Sequence, residues 1–313
     1  MKIKRVIKII INRIKKIRIQ LVKKYKLSKI YNTDFSEIND RKDSELEIII
    51  FSKDRPLQLH ALLESMSHFV KPEKPPYIIY NVGNEIYQKA YEQLFDKYSD
   101  LFKTSINDEH KGFKESLVNL LTDLKSDKII FFVDDILFKN SVQWSELIKY
   151  DSKKVIPSLR LSPQLNFCYT TDDYQILPPH VRENNEMFWF WYEGDYDWGY
   201  PLSVDGNVFD RIEILELIEK LNFTSPNTLE SKMQKYKQQF LSRLGFCFSE
   251  SIIFNNPINI VQKDVPNLHG GLHQDELLDI WNENKRVDYL KLKGFVNTSA
   301  HQEVEYTYVN ENI

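Results

Sequence analysis

The chain has 313 residues, 42% hydrophobic and 13% aromatic, with 9 Gly, 2 Cys and a net charge of −3. That mix excludes a disordered polar chain, and two distant cysteines, Cys168 and Cys247, exclude a disulfide framework or a cysteine zinc cluster and point to a reducing compartment. The small net charge hides two unlike parts: residues 1–33 hold 12 of the 42 Lys and Arg and no acid, leaving 30 bases against 45 acids in the rest.

In the basic arm, Ile3, Ile7, Ile10, Ile14, Ile17 and Leu21 recur at the spacing of one helical face. The pattern predicts an amphipathic helix over residues 1–33. It has neither the roughly 18–20 apolar residues of a membrane span nor a signal-peptide core with a cleavage site. The expectation is a cytoplasmic protein held peripherally on the anionic inner face of a membrane, with Ile side chains in the acyl boundary and basic groups at headgroups. The same pattern fits a helix packed on the body or on a partner. A basic arm also suits nucleic acid, which the acidic body argues against.

A polar linker at 34–45 leads into the body. Residues 46–51 read as a strand, 56–69 as a helix started by Asp54 and Pro56, 77–82 as a strand and 85–98 as a helix. A short strand at 101–105 and a helix at 114–124 follow. The rhythm predicts an α/β fold with a mixed, mainly parallel sheet flanked by helices. Further on, 155–161 and 165–170 read as strands, 210–221 and 228–241 as helices, 251–262 as a strand and 274–284 as a helix. No composition break splits the body, which is assigned to 46–290 with a C-terminal extension at 291–313.

The run Lys128-Ile-Ile-Phe-Phe-Val-Asp-Asp carries the most chemistry. Five apolar residues, 129–133, read as a strand buried on both faces. Asp134 and Asp135 then stand at its C-terminal end, the edge where open α/β sheets bind ligands. Two adjacent carboxylates there need water, a donor or a cation. A hard divalent ion bridging them and a diphosphate satisfies both charges; an Asp-Asp turn closing a strand is the plainer alternative. The first strand ends in Ser52, Lys53, Asp54 and Arg55, just before a helix N-terminus, a placement that suits a nucleotide's base and phosphates. The glycines of Rossmann and P-loop fingerprints are missing.

With IIIFSKDRPLQLHALLESM, FFVDD, YPLSVDGNVF and SPNTLES in this order, residues 46–290 resemble bacterial, family-2-like glycosyltransferases of the GT-A fold. The resemblance implies a nucleotide-sugar donor across the sheet edge and Mn2+ or Mg2+ held by strand-end acids. Asp135 is the first choice as ligand, and Asp134 bonds ribose or metal. The usual pattern is Asp-x-Asp, and here Val133 and Ile136 flank the pair. Arg55 is expected at the donor base or phosphate, and Lys114 at the diphosphate or donor sugar. Some relatives complete the metal shell with a C-terminal histidine, which makes His269 a candidate; His273 lies nearby, beyond Gly270-Gly271.

An inverting transfer also needs a carboxylate to take the acceptor's proton. Glu230, in a helix-start segment, and Asp205, in Ser-Val-Asp-Gly-Asn, are the candidates. Each has a plainer role, offsetting a helix dipole or forming a turn. In the aromatic cluster at 186–200, Trp198 and Tyr200 flank Gly199 and are the expected acceptor contacts. Together these features predict a glycosyltransferase acting on a glycan or lipid-linked acceptor in surface polysaccharide synthesis. The alternative is a non-catalytic module of the same fold that binds a glycan or a partner.

Overall fold

The computed structural model describes residues 38–39, 44–109, 111–259 and 273–311. The arm at 1–33, most of the linker at 34–45, and His269 lie outside the described residues. No helix among the described residues is long and apolar enough to cross a membrane.

Strand and helix alternate through the first half: β1 (Leu46–Lys53), α1 (Pro56–Phe69), β2 (Tyr77–Asn81), α2 (Glu85–Lys97), β3 (Thr104–Asn107), α3 (Phe113–Asp123) and β4 (Lys128–Val133). β1 pairs in parallel with β2 and β4, and β2 with β3. Both faces of this sheet are covered. Ile48 and Ile50 of β1, with Ile130 and Phe132 of β4, point into one core; Ile49, Phe51, Ile129 and Phe131 point into the other. Strict alternation puts successive residues on opposite faces, so an unbroken apolar run is what a doubly covered strand requires. Each such side chain contributes about 1.5–3 kcal/mol by leaving water.

After β4 the chain turns through Asp134-Asp135 into β5 (Ile136–Phe138) and the short helix α4 (Trp144–Ile148). β6 (Val155–Pro157), the ribbon of β7 (Phe167–Cys168) and β8 (Asp173–Tyr174), and the hairpin of β9 (His180–Glu183) and β10 (Glu186–Phe190) come next. Then follow β11 (Val208–Asp210), α5 (Arg211–Glu219), α6 (Pro226–Met233), β12 (Leu244–Phe248), β13 (Ile253–Asn255), α7 (Gln274–Asn282), β14 (Lys285–Val287) and β15 (Tyr308–Asn310). The main sheet has the order β11-β4-β1-β2-β3, and a second has β6-β12-β10-β9. β11 is antiparallel to β4. The architecture is therefore the expected mixed, mainly parallel sheet with flanking helices.

Several boundaries differ from expectation. The strand expected over 155–161 stops at Pro157, because Ser158 and Leu159 turn to bond the 206–207 loop. The strand expected at 165–170 is the two-residue β7 followed by a 3-10 turn. Helix 228–241 begins earlier, at Pro226, and becomes a 3-10 turn after Met233. The strand expected over 251–262 shrinks to β13. Asp54 does not cap α1: Arg55 occupies the N-cap without a side-chain bond, and Pro56 presets the first turn. Of the stretch set apart at 291–313, the described residues up to 311 are stitched into the body. β15 pairs with β14, Asn255 N–H donates to the Ala300 carbonyl, and Val304 N–H donates to Asn256 Oδ1.

Candidate active site

Register builds the first half of the site. Phe51 pairs with Val133 and Lys53 with Asn81, so Ser52, Lys53, Asn81 and Asp134 reach the same C-terminal edge. Asp134 is 4% exposed, and protein donors occupy both its oxygens. Oδ2 accepts from Ser52 Oγ and from the Lys53 N–H, each at 2.9 Å. Oδ1 accepts from Arg55 Nη1 at 2.9 Å. Burial works against the guanidinium charge, but Asp134 and Asp135 outweigh it and hold the Arg55 pKa above its ordinary value.

Asp135 is served less well. Its Oδ1 accepts from Asn255 Nδ2 at 2.9 Å, while Oδ2 sits 3.7 Å from Arg55 Nη1. Burial pushes its carboxyl up to about 6, against the pull of Arg55 and His301. This is a desolvated carboxylate, one oxygen of which has no close donor among the described residues. Among the described residues no group of three or more His, Cys, Asp or Glu side chains could hold a metal by itself. The donor set therefore fits a hard cation only through the single Asp135 oxygen, with a bound diphosphate and water supplying the remaining oxygens. Asp134 has no oxygen to spare.

Asp54 lies at the same edge with a left-handed backbone, φ 52°, and its Oδ1 accepts from the Gly83 N–H at 2.7 Å. A Cβ at Gly83 would come within 2.8 Å of the Asp54 carboxylate. Asn81 Nδ2 donates to Asp108 Oδ1 at 2.6 Å, and burial raises the pKa of both Asp54 and Asp108 against the pull of their hydrogen-bond donors and the Lys53 charge.

The second half arrives through β11. Running antiparallel to β4, β11 starts where β4 ends, so the 203–207 loop comes down onto the end of β4. The Gly206 N–H donates to the Phe131 carbonyl at 2.9 Å. Gly206 has φ +81°, and a Cβ there would stand 2.5 Å from Ile253 Cδ1. Only glycine fits this turn, and the turn places Asp205. From α6, Glu230 reaches back so that its Oε1 accepts from the Val204 N–H at 3.0 Å. Asp205 and Glu230 thus share one site. Burial and the Asp205 charge push Glu230 up to about 7. Burial also opposes the Asp205 charge, but His301 and Arg160 hold its pKa below the ordinary carboxylate value. His301 Nε2 lies 3.5 Å from Asp205 Oδ2, and this partner outweighs burial to raise the imidazole pKa.

The four expected acids, Asp134, Asp135, Asp205 and Glu230, therefore gather at one edge with Arg55. The charges of Asp205 and Asp134 raise Asp135. Of the remaining candidates, Lys114, Trp198 and His273 fall elsewhere. Lys114 Nζ donates to the Glu219 carbonyl at 3.1 Å and lies 6.0 Å over the Phe223 ring. It lines a separate cavity of about 500 Å³ with Lys111, Val118 and Thr224, which none of the acids enters. There it serves as a cation at the C-terminus of α5. Trp198 is 0% exposed, packed edge-on against Trp189 at 5.0 Å, and has no face to offer an acceptor. Tyr200 does stand by the acids, with Arg160 5.9 Å from its ring. His273 is the N-cap of α7, accepting from the Asp275 N–H.

Three residues of the site went unread in the sequence: Arg160, Asn255 and His301. Arg160 had a signal, since a lone arginine inside an apolar run either faces water or is buried against a partner. It is buried, with Nη1 3.2 Å from Asp197 Oδ1. His301, in Ser-Ala-His-Gln, carried none.

No family model matches the chain. One curated relative is the bifunctional glycosyltransferase pgtA of Dictyostelium discoideum, 24% identical over 198 residues. The match takes in 56% of this chain and 25% of that protein, so the chain spans about a quarter of the relative's length. The chain resembles a glycosyltransferase. Solved structures with partial likeness include the mannosyltransferase PcManGT of Pyrobaculum calidifontis in complex with GDP-Man and Mn2+ (TM-score 0.39, 12% identity, 66% of this chain and 57% of that one). TarS of S. aureus scores 0.41 at 11% identity, over 67% of this chain and 36% of that one. A 4-diphosphocytidyl-2C-methyl-D-erythritol synthase of Anaerococcus prevotii scores 0.37 at 12% identity, over 70% and 92%.

Proposed function

We propose that the protein is a glycosyltransferase that moves a sugar from a nucleoside-diphosphate donor to a hydroxyl of a glycan or lipid-linked acceptor, in the building of a surface polysaccharide. One observation carries this reading: Arg55, Asp134 and Asp135 at the C-terminal edge of a parallel sheet face the Asp205–Glu230 carboxylate pair, brought in by a distant segment. The first group suits a donor and the second suits proton removal.

In this reading the nucleotide lies across the ends of β1, β2 and β3, beside Ser52, Lys53, Asp54 and Asp108. Arg55, anchored by Asp134, turns positive charge toward the diphosphate. Asp135 would hold Mn2+ or Mg2+, which when bound stabilises the leaving phosphate oxygens. Glu230 takes the acceptor proton, because a carboxyl pushed up to about 7 is both a competent base and deprotonated in useful amount near neutral pH. Asp205 stays ionised between His301 and Arg160, and its charge keeps Glu230 basic. Tyr200 stands on the acceptor side. The amphipathic arm at 1–33 would keep the enzyme at an anionic membrane where a lipid-linked acceptor is presented.

Isothermal titration with UDP, GDP and CDP, each with and without Mn2+, tests the reading. Binding of one nucleotide, strengthened by Mn2+ and lost in Arg55→Met, is expected. A folded protein that binds none of them rules the transferase out.

A further inference from the structure

Where the acceptor rests is not set by the acids. The β7–β8 ribbon and the segment after it carry Tyr174 and Ile176, 78% and 83% exposed, and Tyr196 lies beside them at 40%. Tyr174 and Ile176 alternate with Gln175, so they face outward while Gln175 turns inward. Both tyrosines are held. Tyr196 donates its hydroxyl to Asp173 Oδ2 at 2.5 Å, and the Tyr174 ring meets Phe167 edge-on at 5.6 Å.

The inward residue leads to the reaction centre. Gln175 Nε2 donates to Asp197 Oδ2 at 3.0 Å, and the Asp197 N–H donates back to Gln175 Oε1 at 3.2 Å. Asp197 Oδ1 holds Arg160 Nη1, and the charges of Asp205 and Glu230 act on that arginine. Arg160 is 2% exposed, and its Nε and Nη2 find no hydrogen-bond partner among the described residues. Buried donors left over in this way suit a ligand oxygen.

Charge selects the ligand. Apart from the buried, Arg160-paired Asp197, residues 161–179 and 192–201 hold Asp172, Asp173, Glu193 and Asp195, and no Lys or Arg. Such a surface repels phosphate and anionic headgroups. Ring faces stack on the C–H faces of sugars, and carboxylates accept from hydroxyls. We propose that Tyr174, Ile176 and Tyr196 form a platform for the neutral sugar chain of the acceptor, on the side of the site to which Gln175, Asp197 and Arg160 connect. This rests on the transferase reading.

The test is titration of the full chain and its Tyr174→Ala/Ile176→Ser variant with neutral oligosaccharides of the cello, malto, manno and chito series. Phosphatidylglycerol vesicles run in parallel, and the nucleotide titration above serves as the folding control. The expected result is that at least one series binds, and that the variant binds it about tenfold more weakly or worse while still binding nucleotide. The platform is overturned if no series binds, if the variant binds as well as the parent chain, or if the variant loses vesicle binding instead. Nucleotide binding without sugar binding removes the platform and leaves the transferase reading in place. Sugar binding lost in the variant, with no nucleotide bound by the parent chain, does the reverse.

Discussion

Arg55 and Asp134, 79 positions apart, meet at 2.9 Å with both side chains nearly sealed from water. Removing one partner leaves a buried charge alone, which costs about 3–5 kcal/mol. Urea unfolding of Asp134→Ala should show a loss of that order. Arg55→Met/Asp134→Leu should be more stable than the sum of the single losses, since neither charge then stays stranded. Both variants should fail to bind nucleoside diphosphate. Additive stability losses would mean that the pair does not hold the edge together.

Gly206 offers a sharper probe of the second half. At φ +81°, with Ile253 Cδ1 in the way of a Cβ, Gly206→Ala meets both backbone strain and a clash. The expected cost is about 1–3 kcal/mol. The turn sets Asp205, so turnover should fall well beyond what the folded fraction explains. A variant with normal turnover per folded molecule would separate Asp205 from the chemistry.

The parts legible in the sequence are those where local pattern and tertiary demand agree. Ile129 to Val133 read as a doubly buried strand closed by Asp134-Asp135, because a short β-branched and aromatic run suits the interior of a covered sheet. Glu230 and Asp205 were readable as candidates but not as neighbours, since their meeting depends on β11 running antiparallel. His301 was silent because its role comes from a backbone bridge to Asn255. Trp198 misled for a related reason: Gly199 suggested an open loop, yet the Gly194 and Gly199 backbones pass so closely that the ring closes over Trp189. Trp198→Ala should therefore cost about 3–5 kcal/mol as a core truncation, while Tyr200→Phe should lower turnover with little change in urea midpoint.

Metal dependence should divide between the two strand-end acids. Among the described residues Asp135 keeps one oxygen without a close donor and Asp134 has none, so Asp135→Asn should abolish the gain in nucleotide affinity that Mn2+ brings, yet retain the metal-free affinity. Chelation of the parent chain should give the same reduced affinity. The gain is expected to be about tenfold, or 1.4 kcal/mol. If Asp134→Asn alone removed it while Asp135→Asn did not, the ligand assignment would be reversed.

The pH dependence follows from Glu230. A base must be deprotonated, so kcat/KM should rise with pH and level off above about 7, the value to which burial and Asp205 push this carboxyl. Asp205→Asn removes the neighbouring negative charge and should move the rising limb to lower pH; Glu230→Gln should abolish it. Stability runs the other way. A carboxyl raised in the folded state binds more protons there than in the unfolded chain between its ordinary 4.5 and about 7. Asp135, raised from 3.8 to about 6, adds to this. Their shared contribution is present below the unfolded values and is lost as pH rises through the folded ones. Chemical unfolding across that window should show Glu230→Gln losing less stability than the parent as pH climbs. An unchanged slope would mean that the raised carboxyl belongs to another residue.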